Sequence, residues 1–299
     1  MTSSSPSSTH LPTASPRPVQ PGVGCRLCGS TETAPLYCIN GCSIYKCRNC
    51  DAEFVANFTG DAAENSEKFI ALQSDTFDDE SFSNSSNAGV VRHWQREAQE
   101  IDRLTADRSG GKRILDIGCN DGLFLGCFNA SWQKFGIEIA PGVAAKARAK
   151  GITVFEKPVE EISIEPQSLD AITMYMIVEH LQDPVQSMAH IVRWLKPGGV
   201  LVMLTGDSDT FKVRRVKAKW HMYTPPVHQF FFSRRSLEFL FKSCGLQTVH
   251  YKYTYGGMPV STFKPLRLVE HAVGKMTAAS PINQLPLYDH LYLYARKRP

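Results

Sequence analysis

Between residues 113 and 204, short apolar runs alternate with stretches of helical periodicity, and this alternation constrains the fold more than any other feature of the chain. The pattern predicts strands over 113–117, 134–139, 153–155, 171–175 and 200–204, and helices from near Leu123, over 143–150 and over 184–195. The run Lys196-Pro197-Gly198-Gly199 stops the last of these helices. Further on, Ser233 reads as the N-cap of a helix over 236–244, and 247–253 and 288–296 read as strands. Upstream, Trp94, Ala98, Ile101 and Leu104 recur at helical spacing within 91–105. Strands alternating with helices imply right-handed crossovers and a mostly parallel sheet of seven strands, with helices on both faces. Such sheets bind ligands beyond the carboxyl ends of their strands.

A second feature lies ahead of this region. Six of the nine cysteines fall between Cys25 and Cys50. Cys25-Arg26-Leu27-Cys28 and Cys47-Arg48-Asn49-Cys50 are two C-x2-C pairs separated by 18 residues. Each pair suits a tight knuckle on which two thiolates converge, and two knuckles make a tetrahedral four-sulfur site fit for structural zinc. Residues 23–56 are therefore expected to form a zinc ribbon, its ligands Cys25, Cys28, Cys47 and Cys50. Cys38 and Cys42 are left over as alternative ligands, a second partial site or ordinary buried thiols, the last being favoured. Residues 1–22, mostly Ser, Thr and Pro, read as a disordered tail, and the acidic, Ser/Asn-rich stretch 57–90 as a linker or lid.

At 42% hydrophobic and 21% charged the composition is globular, and a net charge of +4 is too small to argue for nucleic acid in bulk. No apolar run approaches a membrane span and no secretory signal is visible, so the chain reads as soluble and cytoplasmic, with nucleic acid and membrane both unexpected as partners.

The first predicted strand runs into Asp116-Ile117-Gly118-Cys119-Asn120-Asp121-Gly122. Two glycines let the backbone approach a ligand closely. The spacing is not the G-x-G-x-x-G of a dinucleotide site, which argues against a nicotinamide-dependent reductase. A carboxylate on the strand would repel paired phosphates but welcome an ammonium group. Glu138, 22 residues later at the end of the second strand, can accept bonds from ribose hydroxyls. S-adenosylmethionine has an amino acid at one end and a nucleoside at the other, and satisfies both.

The segments ILDIGCNDG, FGIEIA, SLDAITMYMIVEHLQDP and WLKPGGVLVML, in that order, resemble the class I S-adenosylmethionine-dependent methyltransferases over residues 91–299. The resemblance implies a Rossmann-like α/β fold. It also implies that Asp116, Gly118, Cys119, Asn120 and Gly122 surround the methionine part and that Glu138 and Ile139 hold the ribose. Val159 and Glu160 would then flank the adenine, with Met174 and Tyr175 lining the sulfonium side. The ribbon resembles a zinc-binding segment that precedes the catalytic domain in some bacterial methyltransferases of sugars and specialised metabolites. Asn120 departs from the glycine of many relatives.

Methyl transfer needs a positioned nucleophile, and a base only when the acceptor must lose a proton. Glu179-His180 follows the fourth strand, so His180 is a candidate base or orienting group. Tyr223 and His228, in the aromatic stretch 220–228, are candidates at the acceptor pocket. Lys212, Arg214, Arg215, Lys217 and Lys219 form a basic run suited to phosphate or to solvent. The reading is methyl transfer to a small-molecule acceptor, sugar-containing or a specialised metabolite, phosphate- or nucleotide-linked ones included, with oxygen favoured as the methylated atom. RNA methylation, and a zinc-ribbon interaction protein with a non-catalytic fold, stand as alternatives.

Overall fold

The computed structural model describes residues 22–56, 88–108, 110–254, 284–286 and 288–299. The expected tail and most of the expected linker lie outside these residues, while 88–90, placed in the linker from sequence, already belong to a helix.

Seven strands form one sheet: β4 (Lys112–Ile117), β5 (Trp132–Ile137), β6 (Thr153–Phe155), β7 (Leu169–Tyr175), β8 (Leu195–Gly206), β10 (Leu246–Thr254) and β11 (His290–Lys297). Their order is β10-β11-β8-β7-β4-β5-β6. β4 pairs in parallel with β5 and β7, β5 with β6 and β7 with β8. β11 enters antiparallel between β8 and β10. The expected mostly parallel, seven-stranded sheet is present. Chain order reverses at β4, so the ends of β4, β5 and β7 form the crevice in which such sheets hold ligands.

Successive strand residues serve opposite faces, which explains why these strands read as continuous apolar runs. Leu115, Ile117, Ile172, Met174, Leu201 and Met203 join one core with α3 (Pro184–Trp194) and α5 (Arg234–Ser243). Ile114, Ala171, Val200 and Val202 join the opposite core with α1 (Ala88–Leu104) and α2 (Pro141–Ala149). Local chemistry fixes the helix starts. Asp183 caps α3 by accepting from the Gln186 amide, ahead of Pro184. Ser233 and Ser236 form a capping box on α5, so the helix starts two residues before its expected position.

The helix expected from Leu123 is absent. Only a 3-10 turn, Leu125–Cys127, stands there. Gly122 precedes it, Gly126 sits within it, and Asn129 accepts from the Ser131 amide to turn the chain into β5. The connection is too short and too glycine-rich for a helix.

The ribbon forms β1 (Thr33–Ile39), β2 (Cys42–Cys47) and β3 (Glu53–Val55), a small antiparallel sheet. Its fourth strand comes from far along the chain: β9 (Phe230–Phe231) pairs with β3. Cys25, Tyr45, Cys47 and Phe54 share one core with Phe230, Phe232 and the α3–α5 face of the large sheet. The ribbon is thus packed into the main domain rather than tethered ahead of it.

Candidate active site

The chain leaves β4 through Asp116 and turns at Gly118, whose φ is +77°. A Cβ there would lie 2.3 Å from Ile177 Cδ1, so only glycine fits. Asn120 and Gly122 also have positive φ. The amides of Gly118 and Cys119 both donate to Ile137 O, at 2.8 and 3.0 Å, which pins the turn to the end of β5. The Cys119 side chain points inward over Gly136, where a Cβ would meet its Sγ at 2.3 Å. Its thiol therefore packs, as its lack of partner spacing suggests, and any ligand contact from this residue is through its backbone. Gly136 was not singled out by sequence, though the Phe-Gly-Ile-Glu run carries it.

Asp116 is buried, and its Oδ1 accepts the Thr173 hydroxyl at 2.6 Å. Burial pushes its carboxyl up to about 8, with the nearby Glu138 adding and the Thr173 bond opposing. Glu138 follows β5. Its Oε1 accepts the Ala140 amide at 2.9 Å and its Oε2 the Asn120 amide at 3.1 Å. Burial raises its carboxyl and these amides oppose the rise. Each oxygen keeps a further lone pair, so the carboxylate is oriented yet able to accept two hydroxyls. Ile139 beside it is half-buried. Asp121, next to Asn120, is ion-paired with Lys150 at 2.7 Å.

Val159 packs in the core with Ile117, Ile137 and Ile162. Glu160 is exposed and accepts the Ser187 hydroxyl at 2.6 Å. Met174 is fully buried, and the Tyr175 ring packs against Trp94 and Phe124 with its hydroxyl buried and unbonded. The ends of β4 and β5, three glycines and two carboxylates thus lie together at one edge of the sheet.

Ile177, which covers Gly118, leads into a 3-10 turn, Val178–His180. His180 Nδ1 bonds Val227 O at 3.1 Å, and His228 Nδ1 bonds Met222 O at 2.7 Å. The two rings meet edge to face, with centroids 4.6 Å apart. Burial, with His228 adding, pushes His180 down to about 3, and burial also lowers His228. Glu179 is buried, accepts the Thr205 hydroxyl at 2.9 Å, and is pushed up to about 7 by burial. Sequence reasoning brought in His180 and His228 separately; their meeting, and the part of Glu179, come from the fold.

Tyr223 is a correction. Its hydroxyl donates to Glu53 Oε2 at 2.5 Å, its ring packs on Tyr37, Trp220 and Phe231, and it is 6% exposed. Hydroxyl and ring are committed to the seam with the ribbon, so Tyr223 is not available to an acceptor. Arg26 crosses the same seam, donating to Gln182 O and Gln229 Oε1 at 2.6 and 3.0 Å. The basic run is also thinned: Lys212 is buried against Asp289 and Arg214 pairs with Asp209.

In the ribbon, Sγ atoms of Cys25 and Cys50, and of Cys28 and Cys47, lie 3.6 Å apart, and all four lie within 4.8 Å of one another. Tetrahedral zinc with ~2.3 Å bonds needs sulfurs about 3.8 Å apart, so the four fit the ion. Cys38 and Cys42 stand outside the cluster.

Residues 91–251, more than half of the chain, match the family described as methyltransferase domain, and the chain belongs to that family. A Mycolicibacterium smegmatis protein named for S-adenosylmethionine-dependent methyl transfer is 25% identical over 126 residues, 41% of this chain and 49% of that one. A ubiquinone biosynthesis O-methyltransferase of Xanthomonas oryzae is 33% identical over 103 residues, 32% of this chain and 43% of its own. A tRNA U34 carboxymethyltransferase of Desulfotalea psychrophila is 30% identical over 123 residues, 38% and 37% of the two chains. The chain thus spans less than half the length of these curated relatives. Among solved structures, the fold matches a Haloferax volcanii complex of the Trm112 methyltransferase activator with a methyltransferase, at TM-score 0.55 and 14% identity over 80% of this chain and 98% of the matched one. No helix among the described residues is long and apolar enough to cross a membrane.

Proposed function

We propose that the protein transfers the methyl group of S-adenosylmethionine to a small-molecule acceptor, with oxygen as the favoured atom. The observation that carries this is Glu138, held by two backbone amides beside the Gly118 turn and near enough to buried Asp116 to raise its carboxyl. Glu138 would accept the ribose hydroxyls, Asp116 would face the ammonium group, and Gly118 would let the backbone close on the methionine part. Val159 and Ile139 would line the adenine and ribose, with Glu160 at the rim. Bound there, S-adenosylmethionine supplies a methyl group already activated on a cationic sulfur, so positioning the acceptor in line accounts for much of the catalysis. An imidazole held as low as His180 is a weak proton acceptor, so His180 and His228 are proposed to orient the acceptor rather than to carry its proton.

The O-methyltransferase relative supports oxygen as the methylated atom. The paired Lys212 and Arg214 favour a small acceptor over RNA, although Arg215, Lys217 and Lys219 remain exposed. A salt-dependent RNA gel shift would reverse that preference. Zinc at the four cysteines is proposed to be structural, since four thiolates leave no open position.

Calorimetric titration of S-adenosylmethionine tests the reading. Wild type should bind, and Glu138→Ala should bind at least tenfold more weakly. No binding by a folded wild type would overturn it.

A further inference from the structure

The segment that follows β7 bears on the Gly118 turn at one end and is gripped by the ribbon at the other. Ile177 packs on Gly118, where a Cβ would lie 2.3 Å from its Cδ1. Two residues on, Glu179 O accepts the Gln229 amide at 2.9 Å. Gln182 O accepts Arg26 Nη2 at 2.6 Å. The same guanidinium reaches Gln229 Oε1 at 3.0 Å and Val55 O at 3.3 Å, and lies 4.8 Å from the centre of the Phe230 ring. Gln229 is buried, and its own carbonyl accepts the Val55 amide at 2.9 Å. Arg26 thus holds the segment twice, directly at Gln182 and through Gln229 at Glu179.

Arg26 owes its own position to the first cysteine knuckle. It lies between Cys25 and Cys28, in a loop closed by two backbone bonds of 2.8 Å, Gly29 N to Cys25 O and Cys25 N to Ser30 O. Cys25 Sγ lies 3.6 Å from Cys50 Sγ, so thiolates converging on an ion would fix the loop further. The place suits arginine. A planar fork spreads its donors over several acceptors at once, and a guanidinium stays charged when half-buried. Bonds from a charged donor are shorter and stronger than neutral ones, so they hold the acceptor carbonyls in place.

We infer that Arg26 is a positioning residue: it couples the first cysteine knuckle to residues 177–182 and so sets how Ile177 closes on the Gly118 turn. Arg26 touches no ligand in this role. It acts through Gln182 and Gln229, as the residues behind a site do when they fix those in front. Its effect on cofactor binding rests on the function proposed above; its hold on the segment does not. Tyr223 provides the comparison. Its hydroxyl crosses the same seam to Glu53 on β3, with no bond to residues 177–182 among those described. Loosening the seam at Tyr223 should leave the segment in place, whereas loosening it at Arg26 should free the segment.

The test uses the full chain purified with zinc, with Arg26→Ala, Arg26→Lys and Tyr223→Phe beside wild type. Circular dichroism identifies any variant that fails to fold, and Arg26→Lys remains if Arg26→Ala does, because an ammonium does not reproduce the fork. Amide hydrogen exchange is the first readout. Arg26→Ala should speed exchange at least fivefold over residues 178–182 and at Gln229, and Arg26→Lys at least twofold. Tyr223→Phe should leave both near wild type. Removing zinc from wild type should speed exchange over the same residues. Wild-type protection there in the folded Arg26 variants, an equal loss in Tyr223→Phe, or a zinc-free wild type that keeps its protection would overturn the coupling. Calorimetric titration of S-adenosylmethionine is the second readout. Arg26→Ala should bind at least threefold more weakly than wild type, and Tyr223→Phe as wild type does. Unchanged affinity in an Arg26 variant whose segment exchanges faster would overturn the link to the Gly118 turn. Faster exchange in Arg26→Ala with no binding by wild type would uphold the hold on the segment and overturn the cofactor reading instead.

Discussion

In the function proposed above, Asp116 would give cofactor binding a pH signature. In the ligand-free protein its carboxyl keeps its proton up to about pH 8, because burial disfavours the charge. An ammonium group beside it would favour the carboxylate, so the pKa with cofactor bound must be lower. Binding below pH 8 therefore releases a proton, and affinity for S-adenosylmethionine should rise as pH climbs toward 8, by at most about tenfold per unit. Calorimetry at several pH values checks this, and Asp116→Asn should bind weakly with no such rise. Gly136 is the second residue-level test. Gly136→Ala forces a Cβ to 2.3 Å from Cys119 Sγ and 2.9 Å from Cys119 Cβ. Overpacking of this kind costs about 1–3 kcal/mol, and the displaced turn should weaken cofactor binding as well. Thermal unfolding and titration together read both effects. The glycines of the turn were legible because a motif marks them; Gly136 was not, because its partner lies on another strand end.

At the scale of elements, the seam between ribbon and sheet turns on Glu53 and Tyr223. Glu53, on β3, is buried and held by Lys46 at 3.3 Å and by the Tyr223 hydroxyl. Tyr223→Phe should cost about 1–3 kcal/mol, the usual result of leaving a buried acceptor short of a donor. It should leave the turnover of the folded enzyme near wild type. A large loss of turnover at unchanged stability would return Tyr223 to the acceptor pocket. Glu53 also makes stability depend on pH. Burial raises its folded pKa from the ordinary carboxylate range to about 7. The protonated form favours the folded state, so this contribution is complete below the unfolded pKa and is lost as pH rises through about 7. The loss is at most about 3 kcal/mol. Denaturant unfolding across that window should show it, and Glu53→Gln should flatten it. The short turn after Gly122 belongs to the same scale: a helix was expected from the motif, but two glycines and an Asn turn close the connection first.

For the whole molecule, β9 is the consequential element, because it makes the ribbon and the main domain share a sheet and a core. Removing zinc with a chelator should therefore loosen more than residues 23–56. Amide hydrogen exchange should speed up at Phe230 and Phe231 together with β1–β3, because a metal-dependent ribbon carries much of its folding free energy in the ion. Unchanged protection at β9 would mean that the ribbon holds without metal.

The sequence by itself determined the parallel sheet, the glycine turn after its first strand and the four-cysteine cluster, since each is written in short-range patterns: alternation, glycine spacing, paired C-x2-C. It placed Asp116, Gly118 and Glu138 at neighbouring strand ends because parallel topology brings successive strand ends together. Tertiary structure alone decided the pairing of Phe54 with Phe230, the bond from Tyr223 to Glu53, and the convergence of Glu179, His180 and His228. Each joins residues about 50 to 180 positions apart, and a contact made by chain closure over such distances leaves no periodicity to read.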